Sequence, residues 1–332
     1  MSTPTTTITP TIPFGDDGVQ HGHLQLPYSH DAAAYGSVMI PIAVIANGPG
    51  PTVLMTGGNH GDEYAGPTSL IKLANTLDPA TIRGRVIIVP TMNQPAFAAG
   101  TRTSPIDRGN LNRSFPGRPD GTHTERIADY MAHHLLPLSD FVVDIHDGGR
   151  TLEFVPTVSS PVSSDSATTE ASRAAADAFG APYATQLVEI DTLGMWEFHA
   201  CETGRPFVNT EIGGTGGMRP EHIAITDAGL HNLLVHWSVL RAEPIETSAS
   251  VRYAVPEVGG YVTAQVDGLI EWVVELGAPI TAGQVIARVH EPKRLGVAPV
   301  DHHATVDGFL AMRHHPGLIS MGDAVAMQGV PV

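Results

Sequence analysis

The chain has 332 residues and a formal net charge of -16, from 34 acidic against 18 basic residues, with 42% apolar and 16% charged residues. That length accommodates one large domain and a smaller one, and the composition excludes a coiled coil or a disordered chain. The negative overall field makes nucleic acid and anionic membrane poor partners, while a local arginine cluster can still hold a small anion inside a cleft.

The Thr/Pro-rich first dozen residues read as a mobile tail, and residues 1–40 as a tail with a leading segment. No Lys or Arg precedes Lys72 and no run approaches the roughly 20 apolar residues of a bilayer span, so a signal peptide and a spanning helix are not expected. The expectation is a cytoplasmic protein. Residues 52–56 (TVLMT) predict a buried strand that ends in GGNHGDE, and 67–77 a helix. A strand follows at 86–89 (VIIV) and a helix at 124–136. Residues 141–145 (FVVDI) predict a strand ending in HDGG, 163–179 a helix, and 207–210 (FVNT) a strand ending in EIGG. A last helix is expected within 226–240. In open α/β sheets ligands collect beyond the carboxyl ends of strands, so three polar clusters at three strand ends point to one active site in residues 41–249. Cys201 is the only cysteine, which excludes an intrachain disulfide and disfavours a thiolate metal site.

After Ala249 the texture becomes short alternating runs with spaced glycines, predicting a separate β module over 250–332. VDGLIEWVVELGAPITAGQVIA and VDGFLAMRHHPGLISMGDAVA resemble each other, with Gly268/Gly308 and Gly277/Gly317 at one offset and Gly283/Gly322 one residue short of it. An internal duplication is the reading, and the pattern resembles the two halves of a lipoyl-like barrel-sandwich.

His60 and Glu63 stand three residues apart on a turn, where such spacing aims both side chains at one point. His146 ends a neighbouring strand and can converge on them. Two histidines and one carboxylate suit a catalytic zinc ion with one position open. His-x-x-Glu alone is a weak signal, and convergence gives it weight.

GGNHGDE (57–63), NLNRSFPG (110–117), VVDIHDGG (142–149) and NTEIGG (209–214) together resemble the succinylglutamate desuccinylase/aspartoacylase family of zinc-carboxypeptidase-like hydrolases, across most of 41–240. HGDEYAG, TSPIDRGNLNRSFPG and the paired VDG segments are most similar to its ectoine-degradation branch, the N-alpha-acetyl-L-2,4-diaminobutyrate deacetylases. The resemblance implies an α/β fold, a zinc-carboxypeptidase-like mixed sheet flanked by helices, with a C-terminal all-β barrel-sandwich. It implies one Zn2+ per chain on His60, Glu63 and His146, and Glu211 as the carboxylate that activates the attacking water. It matches Asn112 and Arg113 to the pair that grips a substrate carboxylate. A further arginine stabilises the oxyanion; Arg102 and Arg108 are rivals for that role, with Arg102 preferred and Arg108 left beside the substrate. Asn110 stands where the family's motif often begins with an acidic residue, which argues against aspartoacylase proper.

The implied reaction is amide hydrolysis of a small N-acyl amino acid, with deacetylation of N-alpha-acetyl-L-2,4-diaminobutyrate foremost. Another N-acyl amino acid, or a small peptide cut by a carboxypeptidase, is the alternative, and a homo-oligomer is left open. Asp144 has equal claims as an orienter of a ligand and as an ordinary strand-end residue, and Asp62 and Asp147 as substrate contacts or solvated neighbours. Glu211 could instead be a capping carboxylate. His133 and His134, His302 and His303, and His314 and His315 lack a carboxylate at ligand spacing and read as surface residues. Lys293 raises a carrier reading, but HEPKR lacks the context of modified lysines, so it is expected to be unmodified.

Overall fold

The computed structural model describes residues 6–186 and 192–332. Ten strands precede the C-terminal module: β1 (Thr9–Pro10), β2 (Gly18–Pro27), β3 (Ser37–Asn47), β4 (Thr52–Gly57), β5 (Gly84–Val89), β6 (Phe141–His146), β7 (Leu152–Phe154), β8 (Thr157–Ser160), β9 (Tyr183–Gln186) and β10 (Phe207–Glu211). Most lie side by side in the order β1-β2-β3-β5-β4-β6-β10-β8-β9. The central β5, β4, β6 and β10 run parallel, and β4 is buried over its whole length. Strands covered on both faces need continuous apolar sequence, which is why TVLMT and VIIV carry no polar alternation.

Six α-helices cover the sheet: α1 (Ala65–Thr76), α2 (Gln94–Ala99), α3 (His123–Tyr130), α4 (Ser166–Phe179), α5 (Trp196–Glu202) and α6 (Pro220–His236). The strands alternate between two cores, since successive side chains point to opposite faces. Leu54, Ile87, Val142 and Phe207 pack with Ile127 of α3 and Trp196 of α5 on one face. Val53, Met55, Val86, Val143 and Val208 pack with Leu70 of α1, Phe179 of α4 and Leu233 of α6 on the other. The expected helix at 124–136 is longer and less regular: a capping box of Thr122 and Glu125 starts α3, and a π-helical turn, Met131–Leu135, continues it. α4 begins at Ser166 because the Asp165 side chain accepts from the Ala167 and Thr168 amides. α6 starts earlier than expected, with Pro220 in its first turn, where the missing N–H costs nothing.

Residues 6–12 depart from the expected mobile tail, whose first five residues lie outside the described ones. Ile8 is buried in the first core, β1 pairs with β2, and β2 with β3 form a ladder of ten residue pairs. Burial of a single isoleucine and the main-chain pairing hold residues that composition alone reads as loose.

The C-terminal region contains β11 (Val251–Ala254), β12 (Tyr261–Thr263), β13 (Gly268–Trp272), β14 (Pro279–Ile280), β15 (Val285–His290), β16 (Val300–His303), β17 (Gly308–His314), β18 (Leu318–Ile319) and β19 (Ala324–Pro331). A separate small antiparallel sheet runs β16-β15-β13-β18. The two similar segments make equivalent pairings: β13 pairs with β15 and β17 with β19, while each short strand crosses over, β18 onto β13 and β14 onto β17. A duplicated unit whose halves exchange strands explains the repeated glycine spacing.

The module is continuous with the large sheet. β11 joins β9 in parallel and β19 antiparallel, and β17 pairs with β7. Beside that last contact, buried Glu153 of β7 accepts from Arg219 at 2.8 Å and from Arg313 of β17 at 2.9 Å. Lys293 is exposed on the connection between β15 and β16. Among the described residues no helix is long and apolar enough to cross a membrane.

Candidate metal centre and its surroundings

The chain leaving β4 turns sharply through GGNHGDE. Gly58 has φ 61, and the backbone amides of Met92 and Asn93 donate to the carbonyls of Gly57 and Gly58. A Cβ on Gly61 would lie 2.0 Å from the Ala96 carbonyl carbon, so only glycine lets the turn pack on α2. This turn brings His60 and Glu63 together, and parallel β6 delivers His146 from next door. His60 Nδ1 lies 2.6 Å from Glu63 Oε1, and His146 Nδ1 lies 2.9 Å from Glu63 Oε2. All three are buried, and one donor atom from each lies within 4.8 Å of the others. They form the one such group of potential metal ligands among the described residues.

Two imidazoles and a carboxylate buried together fit a zinc ion by the chemistry of the donor set. Burial opposes a charge on His146, but Glu63 and Asp144 outweigh it and hold its pKa well above the ordinary value. Burial likewise opposes the Glu63 carboxylate, and His60 and His146 outweigh it. His60 is pushed down by burial and by Arg102 and His146, against the pull of Glu63.

Behind this group, His146 Nε2 donates to Asp144 Oδ2 at 2.8 Å, and Asp144 also accepts from Thr56 Oγ1 at 2.7 Å and Asn59 Nδ2 at 3.0 Å. The orienting role weighed for Asp144 therefore has its geometry, fixing which nitrogen of His146 faces Glu63. Asn59 and Thr56 were not singled out from sequence; Asn59 sits inside the quoted motif, but only the fold reveals that it reaches Asp144. Replacing Asp144 with Asn should lower metal affinity by about 10- to 100-fold. Equilibrium dialysis with zinc checks this, and unchanged affinity would remove Asp144 from that role.

Glu211 ends β10 directly beside His146 in the ladder. Its Oε2 is buried with no hydrogen-bond partner among the described residues. Burial raises its pKa well above the usual carboxylate range, the Glu63 and Asp147 charges add to this, and His146 and Arg102 pull it back. A buried carboxyl with an unused oxygen thus stands next to the potential ligands.

The arginines separate. Arg102 Nη1 lies 3.7 Å from Glu63 Oε1 with its side chain half exposed, so it borders the cluster. Arg108 is exposed, sits in left-handed backbone at φ 59, and forms no ion pair among the described residues. Asn112 and Arg113 lie on a 3-10 turn capped by the Asn110 side chain, which accepts from the Asn112 amide. Asn112 is buried and its Oδ1 accepts from the Trp196 amide at 2.9 Å, while Arg113 is exposed and donates to the Asn112 carbonyl at 2.7 Å. Asn110 thus has a main-chain task that an acidic residue could equally perform.

Asp62 and Asp147 hold backbone in place. Asp147 accepts from the amides of Tyr64, Ala65 and Gly149, satisfying the start of α1, and Asp62 accepts from the Arg150 amide. Burial and Glu63 push Asp147 up to about 7. The paired histidines are elsewhere: His133 bonds Asp129, while His302 and His314 are buried rather than at the surface, the first accepting from the Gln265 amide and the second bonding the Leu318 carbonyl. Cys201 is buried, and burial pushes its thiol up to about 12.

Residues 49–237 match the succinylglutamate desuccinylase/aspartoacylase catalytic domain. Over 321 residues the chain is 49% identical to N-alpha-acetyl-L-2,4-diaminobutyric acid deacetylase of Halomonas elongata, covering 96% of this chain and 94% of that protein. The chain belongs to the succinylglutamate desuccinylase/aspartoacylase family. Among solved structures, the product-bound ectoine utilization protein EutE (DoeB) of Ruegeria pomeroyi superposes with TM-score 0.96 at 50% identity, covering 98% of this chain and 99% of that one. A succinylglutamate desuccinylase/aspartoacylase of Rhodobacter sphaeroides superposes with TM-score 0.93 at 34% identity, covering 98% and 100%. Membership in this family makes the chain a hydrolase.

Proposed function

We propose that the chain hydrolyses the amide of N-alpha-acetyl-L-2,4-diaminobutyrate, releasing acetate and diaminobutyrate, with one zinc ion held by His60, Glu63 and His146. The observation that carries this reading is the buried His60–Glu63–His146 cluster with Glu211 beside it, in a chain 49% identical along nearly its whole length to a deacetylase of that substrate. A bound zinc ion would supply Lewis-acid polarisation of the scissile carbonyl and acidify water. Glu211 takes the proton of the attacking water and returns it to the departing amine nitrogen; its raised pKa favours the first of these transfers. Arg102, beside Glu63, donates to the oxygen that becomes anionic when water adds to the carbonyl. Arg113 and Asn112 grip the α-carboxylate, the guanidinium fork matching its two oxygens. Residues 250–332 close as a barrel-sandwich cap against β7 and β9, with Lys293 unmodified.

A panel of acetyl, succinyl and formyl derivatives of diaminobutyrate, aspartate, glutamate and ornithine, together with dipeptides, tests the assignment. The acetyl-diaminobutyrate compound is expected to give the highest kcat/KM. A preference for succinyl compounds or for dipeptides would replace it with the desuccinylase or carboxypeptidase alternative.

A further inference from the structure

A small cavity of about 60 Å3 lies between β8, the end of β10 and the C-terminal strands, with Glu211 in its wall and Tyr253, Tyr261 and Met327 closing it from the C-terminal side. Across the β8–β10 ladder Thr157 stands opposite Glu211 and Ser159 opposite Asn209, so their side chains share one face of the sheet. Both line the cavity.

The wall is rich in acceptors and carries one carboxyl group, with the Gln186 amide and the Ser159 hydroxyl as neutral donors. Thr157 gives its hydroxyl proton to the Val155 carbonyl at 2.8 Å, leaving its oxygen to accept. Tyr253 Oη lies 3.3 Å from Thr157 Oγ1, so the phenol supplies the proton there and keeps its own lone pairs. Thr185, also in the wall, donates to the Tyr253 carbonyl at 2.8 Å. Ser159 Oγ is buried with no partner, as is Glu211 Oε2. None of the described residues around the cavity is lysine or arginine. A carboxylate placed here would stand beside the Glu211 carboxyl group with no cation to offset its lost hydration, and a methyl group would leave the buried Ser159 hydroxyl unmet. An alkylammonium brings three donors and no acceptor, and finds a carboxyl group at Glu211.

We infer that this cavity is the side-chain subsite, and that its acceptors select an amino acid whose short side chain ends in an ammonium group. Resting on the deacylase reading above, the inference adds which residues choose the amino acid. The amide being cut lies on the metal-cluster side of Glu211, and the side chain reaches past Glu211 towards Ser159 and Tyr253. In this arrangement the C-terminal module supplies specificity through Tyr253.

Steady-state kinetics on the zinc-loaded enzyme tests it, with N-alpha-acetyl-L-2,4-diaminobutyrate, N-acetyl-L-norvaline and N-acetyl-L-aspartate. Norvaline matches the shape of diaminobutyrate with a methyl in place of the ammonium. The wild type is expected to prefer the diaminobutyrate compound over the norvaline one by at least about 100-fold in kcat/KM, as a site built for hydrogen bonds discriminates strongly. Ser159→Ala and Tyr253→Phe should each shrink that ratio by about 10-fold, the loss from one unmade hydrogen bond to a charged group. Circular dichroism melting verifies the fold, and Tyr253→Phe, which deletes one oxygen, carries the test if Ser159→Ala does not fold. An unchanged ratio in folded variants, or a wild-type preference for the norvaline or aspartate compound, would overturn the subsite while leaving the deacylase reading standing. Failure of the wild type to cleave any of the three would overturn both.

Discussion

Glu211→Gln is expected to keep the fold and the bound zinc while losing about 10²- to 10⁴-fold in kcat, the usual worth of general acid-base help. The reasoning runs from the sheet. Glu211 ends β10 next to His146, and its second oxygen is buried without a partner. Glutamine has nearly the same size, so the ladder to β6 and β8 is undisturbed and stability should change little. What disappears is a group that can both accept a proton from water and give it to the amine. Because burial and neighbouring carboxylates raise the Glu211 pKa, the wild-type carboxylate is a stronger base than an exposed glutamate and takes the proton of water more readily. Retained zinc by elemental analysis with lost turnover is the expected pair of results. Near-wild-type turnover would take Glu211 out of the proton-transfer role.

His146→Ala is expected to abolish zinc binding and activity together, and to destabilise the metal-free protein by about 3–5 kcal/mol. His146 lies between Glu63 and Asp144, with both contacts under 3 Å: 2.9 Å on one side and 2.8 Å on the other. Its removal leaves two buried carboxylates without their shared cation; Asp144 keeps Thr56 and Asn59, while Glu63 keeps His60 and the more distant Arg102. Thermal unfolding in a chelator reads the stability term, and metal content reads the binding term. In the same assay a chelator should silence the wild type and added zinc should restore it, whereas zinc should not restore the variant. A variant that still binds one equivalent of zinc would show that His146 is not a ligand.

The strands that matter most for the site were legible because they are buried on both faces, and burial of that kind leaves continuous apolar runs such as TVLMT and FVVDI. The polar residues at their ends were legible because His, Glu and Gly in GGNHGDE and HDGG have no reason to follow a buried strand unless a turn or a ligand needs them. Other features depend on long-range contacts that leave no local trace. Asn59 and Thr56 reach Asp144 across strands separated by more than 80 residues. Ile8 sits among threonines and prolines, and only its burial beside Leu24 and Ile40 shows it to be anchored. Arg102 and Arg108 are indistinguishable as letters; the turn geometry sets one near Glu63 and points the other's backbone into a left-handed conformation. The hydroxyls around Ser159 fall in a short strand, TVSS, with no pattern to mark it as a wall, and Tyr253 comes from a segment almost 100 residues away.

The joining of β9 to β11, of β11 to β19, and of β7 to β17 bears on how substrate enters. Two bodies connected by a flexible linker can swing apart like jaws, but here main-chain hydrogen bonds and the Glu153 bridge to Arg313 lie across the seam. Swinging the C-terminal part away would break several ladder bonds at once and take Arg313 from a buried carboxylate. Opening along this seam is therefore costly, and the strand pairing makes the C-terminal part a fixed wall of the large sheet rather than a hinged one.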